Sequence, residues 1–140
     1  MSGSAIARGP EDEQTWEKAK RDLAEAEALD ASRTPGAAVH KAYYAMHHAA
    51  RAVLLRRDGA KAPNKHAAVI GRVGMIAKAE TEGSAGLLQA GRDLNRVYAA
   101  RADADYGVEA TTTREEAEAC VSTARQFLRA CSEHFGFRLD

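Results

Sequence analysis

Five runs along the chain repeat apolar residues at steps of three and four, the period of a helix that buries one face. From Glu11 to about Ala31, Trp16, Ala19, Leu23 and Ala26 align while Glu, Lys and Arg fill the remaining positions. Thr34-Pro35 offers an N-cap followed by proline at the first helical position, where its missing N–H removes no bond. A second helix is therefore predicted from Pro35 to about Arg57, with Val39, Tyr43, Met46, Ala50 and Val53 as its seam and Asp58-Gly59 as its stop. Pro63-Asn64 opens a third helix that runs to near Glu80 through Val69, Ile70, Val73 and Ile76, with Gly71 and Gly74 lowering its helical propensity. After a turn over Thr81 to Gly86, Leu87, Gly91, Leu94 and Tyr98 step along a fourth helix that Gly107 ends. Thr112 or Thr113, with Glu115 or Glu116 three residues on, forms a capping box for a last helix. Its stripe is Ala117, Cys120, Ala124, Phe127, Leu128, Cys131 and Phe135, up to about Gly136.

Short connections between such helices predict an all-α fold, an antiparallel bundle of four to five helices over residues 11–136. Residues 1–10, small and polar with Gly9-Pro10 at their end, read as a flexible leader, and Phe137 to Asp140 as a short tail. Composition agrees with this pattern. The chain has 140 residues, three of them proline, and 6% aromatics, which excludes an all-β architecture. Its 20 Lys and Arg balance 20 Asp and Glu, so any contact with nucleic acid must be local. Neither a signal peptide nor a long uncharged apolar stretch occurs, and a cytoplasmic protein is expected. Cys120 and Cys131, eleven residues apart on one helix, stand about 16 Å from each other and are expected to be reduced core residues. Apolar stripes on five modest helices exceed what one small core covers, which favours a dimer.

The seam of the fourth helix carries the most information. Continued by the same steps it reaches Arg101 and Asp105, so an apolar line ends in two charges. One reading is an intrahelical ion pair. The other is a guanidinium held at the end of the core to bind a phosphate bidentately, with Asp105 orienting it and Tyr106 adding a phenol. On the second helix His40, Tyr44, His47 or His48, and Arg51 form a polar stripe beside the seam. These histidines read first as core or interface groups and second as RNA-contacting or catalytic ones. A metal site built from His40, His47 and His48 is disfavoured, because no Glu-x-x-His occurs and His40 to His47 skips a full turn. No metal or cofactor is expected. His66, at the start of the third helix, reads as a cap or a solvated group, and His134 suits the negative end of the last helix. Arg51, Arg56, Arg57, Lys61 and Lys65 bunch around the turn after the second helix, as a solvated end or as a lip beside Arg101.

The stretch Ala42-Tyr43-Tyr44-Ala45-Met46-His47-His48-Ala49-Ala50-Arg51-Ala52-Val53-Leu54 resembles the small stand-alone prokaryotic branch of the HEPN domain family, where it reads A-Y-Y-A-M-F-H-A-A-R-A-L-L. Leu94-Asn95-Arg96-Val97-Tyr98 and Arg101-Ala102-Asp103-Ala104-Asp105-Tyr106-Gly107 are similar to that branch's L-N-R-L-Y and R-x-x-A-D-Y. In Pro63 to Ile70, His66 falls on the branch's histidine while Ala67 replaces its lysine. The resemblance implies a helical bundle that commonly dimerises. In many members it implies a metal-independent ribonuclease with an arginine followed after four to six residues by a histidine. Arg101 matches that arginine, whereas Asp105 and Tyr106 follow it and no histidine comes before His134. The family also implies toxin–antitoxin or defence modules and a nucleotidyltransferase partner that modifies a tyrosine near the arginine, a position that Tyr106 would fill. Catalytic roles thus fall on Arg101, Asp105 and Tyr106, and contacts to nucleotide or RNA on Arg101, His48, Asn95 and Arg51. The alternative is a non-catalytic module that docks a nucleotidyltransferase.

Overall fold

The computed structural model describes residues 10–79, 85–106 and 112–139; the side chains of Ala60, Ala85, Leu87 and residues 102–106 lie outside the described set. The expected leader before Pro10 lies outside it as well. The helices are α1 (Glu11–Ala28), α2 (Pro35–Asp58), α3 (His66–Ala79), α4 (Ala85–Tyr106) and α5 (Arg114–Phe135), with a 3-10 turn at Gly59–Lys61. Among the described residues there is no strand, and the chain is the all-α bundle its periodicity predicts.

The bundle is organised around α2, which packs against α1, α3, α4 and α5. Of its 24 residues 12 are buried, among them Ala38, Ala42, Ala45, Ala49, Ala50 and Ala52, whose short side chains let several neighbours approach at once. The predicted seam Val39, Tyr43, Met46, Ala50 and Val53 is buried throughout. It meets Trp16, Ala19 and Ala26 of α1, Leu94 and Val97 of α4, and Ala117, Ala124, Phe127 and Leu128 of α5 in a single core. Cys120 and Cys131 are buried and free, and burial pushes both thiols up from their ordinary range.

The ends of the helices follow local chemistry. Thr113 caps α5, its hydroxyl accepting from the Glu116 N–H at 3.1 Å and donating to the Glu116 carboxylate at 3.3 Å. Thr34 occupies the cap position of α2 without capping through its side chain, because its hydroxyl donates to the Asp30 carbonyl at 3.0 Å. Helix α1 stops at Ala28, three residues before the expected end. There Leu29 turns extended and the Asp30 carboxylate accepts from both the N–H and the hydroxyl of Ser32, at 2.9 and 2.6 Å. Helix α3 begins at His66, three residues after Pro63, and Ala62 before the proline is extended.

The residues after α5 take part in the packing. Gly136, at φ +78° in the left-handed region, turns the chain so that Phe137, the first residue after it, closes the core. Phe137 is 3% exposed and stacks on Trp16 with ring centres 4.7 Å apart. The Trp16 indole N–H donates to the Arg138 carbonyl at 2.6 Å. Arg56 lies over the opposite side of this contact, its guanidinium carbon 3.6 Å from the Phe137 ring centre. It donates to Asp12 at 2.8 Å, to Glu13 at 2.5 Å and to the Phe135 carbonyl at 2.8 Å. The ends of α1, α2 and α5 are thereby fastened together.

Replacing Trp16 by alanine removes a wholly buried indole and its hydrogen bond, and chemical denaturation should show a loss of about 3–5 kcal/mol. Arg56→Ala should cost less, about 1–2 kcal/mol, because its ion pairs are partly solvated and its stem packing is the larger loss.

Candidate functional site

The polar stripe of α2 lies where α1, α3 and α4 converge on that helix, so its side chains fold into an interior instead of a solvent face. Tyr43 is fully buried, His47 is 6% exposed, and His40, Tyr44, His48 and Arg51 are half-buried. From α4 the seam continues from Leu94 and Val97, both buried, to Tyr98 and Arg101, both half-buried. The Arg101 guanidinium carbon stands 5.1 Å from the Tyr43 ring centre, 5.4 Å from that of Tyr98 and 6.0 Å from that of Tyr44. Three π faces therefore surround a cation at the end of an apolar seam, as in other cation–π cages.

The first residue of α3 completes the cluster. His66, expected as a cap or a solvated group, is half-buried and held by its neighbours: its Nδ1 forms a hydrogen bond with the Tyr43 hydroxyl, and its ring stacks on His47 at 4.3 Å with an interplanar angle of 11°. Its ring centre lies 5.5 Å from Tyr43 and 5.9 Å from both Tyr44 and Tyr98. On the α1 side, His48 Nδ1 meets the Asp22 carboxylate at 2.7 Å. Asp22 is 8% exposed, with the Lys41 ammonium 4.0 Å away. A groove of about 270 Å³ opens there between Lys18, Asp22, His40, Lys41, Tyr44 and His48.

Burial and positive charge govern the electrostatics. Burial, reinforced by His66, His48, Arg51 and Arg101, lowers the His47 pKa to about 3. His66 is lowered first by burial and then by Arg101 and His48. His48 is also lowered, since burial outweighs the carboxylate beside it, so its contact with Asp22 is a hydrogen bond donated by a neutral ring. Burial pushes the Tyr43 phenol up, against the pull of Arg101. The outcome is a permanent cation among neutral imidazoles and phenols. Such a site can receive an anion on the guanidinium and exchange a proton through an imidazole.

The residues expected from sequence reasoning are distributed unevenly. Arg101, His48 and Arg51 come together on and beside the cluster, and His40 tilts against Tyr44 with ring centres 4.8 Å apart. The buried Arg51 Nε and His47 Nδ1 have no hydrogen-bond partner among the described residues. Asn95 is exposed on α4, with no described contact to the cluster. The side chains of Asp105 and Tyr106 lie outside the described residues. Arg56, expected in a basic lip, is engaged in the C-terminal fastening, while Arg57, Lys61 and Lys65 are exposed. Among the described residues no group of three His, Cys, Asp or Glu side chains converges as a metal site. No described helix is long and apolar enough to cross a membrane.

Four participants escaped the sequence-based list: Asp22, Tyr43, His66 and Tyr98. Asp22 had a signal. It falls between Ala19 and Ala26 on the buried stripe of α1, a carboxylate on an apolar line just as Arg101 is a guanidinium on one. His66 has no local signal, because its place depends on how α3 enters the bundle.

The lowered His47 pKa fixes a sign. The folded state disfavours protonation that the unfolded chain accepts near pH 6.5, so His47 leaves stability intact above that value and erodes it as pH falls toward 3. Urea melts between pH 7 and pH 5 should show His47→Phe losing less stability over this range than the unaltered protein.

Comparison with known proteins adds two findings. The family described as HEPN domain matches residues 13–134, most of the chain. A protein of Methanocaldococcus jannaschii bearing the name "Putative toxin MJ0605" is 34% identical over 114 residues, covering 80% of this chain and 79% of its own length. The match spans all five helices and the arginine, tyrosine and histidine side chains gathered around α2, and this chain belongs to the HEPN domain family.

Proposed function

We propose that this chain is the toxin-type HEPN component of a cytoplasmic toxin–antitoxin or related defence module. It binds RNA or a nucleotide phosphate through Arg101, and the same site cleaves RNA without a metal. The observation that carries this reading is the Arg101 guanidinium held over Tyr43, Tyr44 and Tyr98, which fixes a cation beside three neutral histidines. A phosphate accepts two parallel N–H bonds from such a fork, and the phenol rings offer faces for bases. Arg51 and His48 supply further donors along α2. Asn95 serves on the exposed side of α4, Asp105 orients the guanidinium, and Tyr106 is the tyrosine open to modification. Two copies of the chain place their sites in a shared cleft.

A second reading rests on the relative named as a toxin. A toxin requires a neutralising partner, and here the bundle docks a nucleotidyltransferase, with the site serving recognition alone. Fluorescence anisotropy with a labelled structured RNA separates the two. Arg101→Ala should weaken RNA binding by about 10- to 100-fold, as expected for charge-assisted hydrogen bonds. Unchanged affinity in that variant overturns the RNA-binding reading and leaves the docking module. Cleavage that persists in EDTA and leaves cyclic-phosphate ends would establish the metal-free reaction.

A further inference from the structure

The helix that carries Arg101 supplies no imidazole downstream of it, since the next histidine in the sequence is His134 on α5. The fold brings one from elsewhere. We propose that His66, entering from the first turn of α3, is the proton-transfer residue that works beside Arg101, with Tyr43 as its positioning residue. This rests on the ribonuclease reading above.

Three histidines line the cluster, and the geometry distinguishes them. His47 is enclosed, and its Nδ1 is buried without a hydrogen-bond partner among the described residues. His48 turns its Nδ1 toward α1 and Asp22. His66 alone shares all three tyrosine rings with Arg101, lying within 6 Å of Tyr43, Tyr44 and Tyr98, as the guanidinium does within 6.0 Å. It is also half-exposed, so a substrate can reach it.

Its ring is held on two sides. Stacking on His47 sets the plane, and the Tyr43 hydroxyl holds Nδ1. The phenol oxygen accepts from Nδ1–H in the tautomer the reaction uses, which leaves the Nε2 lone pair to take up a proton. Placement at the first residue of α3 adds the positive end of the helix dipole, which also favours the neutral ring.

In the reaction the His66 Nε2 lone pair takes the proton of a ribose 2′-OH as that oxygen bonds to phosphorus. The P–O5′ bond breaks, and the departing oxygen takes a proton from water. His66 then returns its proton to the hydroxide so formed, leaving a 2′,3′-cyclic phosphate and a 5′-OH with no net proton consumed. Arg101 donates to the non-bridging oxygens, where charge accumulates.

The charged and titratable groups facing His66 are Arg101 and Tyr98 from α4 and Tyr43, Tyr44, His47 and His48 from α2. Burial and Arg101 hold His66 below the ordinary histidine range. As a base it is therefore active on the alkaline side of that value, and cleavage should rise with pH below about 6.5 and level off above it.

The test compares the full chain with His66→Ala, His66→Gln and Tyr43→Phe, following cleavage of a labelled structured RNA in EDTA and, separately, RNA affinity by anisotropy. Both His66 variants should retain affinity, lose cleavage by about 100-fold or more, and lose the acidic limb of the pH profile. Tyr43→Phe should retain affinity and shift that limb. If His66→Ala fails to fold by circular dichroism, His66→Gln decides. Cleavage by the unaltered protein that both His66 variants match overturns the assignment while the ribonuclease reading stands. Joint loss of affinity and cleavage in folded variants makes His66 a binding group and overturns it as well. An unaltered protein that binds RNA and never cleaves it defeats the ribonuclease reading and this assignment together.

Discussion

A single helix with neighbours on several sides constrains everything else in this molecule. Helix α2 touches each of the other four, and it does so through alanines that leave little room between backbones. The polar stripe of His40, Tyr44, His47, His48 and Arg51 consequently lies in the space where α1, α3 and α4 converge on it. A stripe that would be solvated on a peripheral helix becomes an enclosed cluster. Histidine and tyrosine suit such a place, because each packs an apolar ring and loses little when uncharged.

The electrostatics follow from which group can yield. Arg101 keeps its proton under all ordinary conditions, so the imidazoles around it give theirs up. Burial does most of this, and the guanidinium adds to it at His47 and His66. Asp22 brings a carboxylate to the α1 side, where it accepts from His48.

Much of the fold was legible from residue spacing. The apolar steps located every helix, and the Thr113–Glu116 pair and Gly136 fixed the limits of α5. The seam running Leu94, Tyr98, Arg101 also pointed to the cation at the centre of the cluster, since packing alone would have put a hydrocarbon there. Less legible was whatever depends on how the helices meet. His66 becomes a neighbour of Arg101 only because α3 starts late and enters over Tyr43, and a one-dimensional pattern holds no record of that entry. Asp22 could have been recognised as a charge on the buried face of α1. Phe137 follows a glycine that resembles a terminator, and only the reversal at Gly136 returns it to Trp16.

That reversal bears on how the protein folds. Trp16, near the start of α1, has its indole covered by a ring more than a hundred positions later, and Arg56 fastens the two only when both are present. A chain that stops before residue 137 leaves one face of that indole bare. The start of α1 is therefore covered only once residues 137 and 138 have folded back onto it.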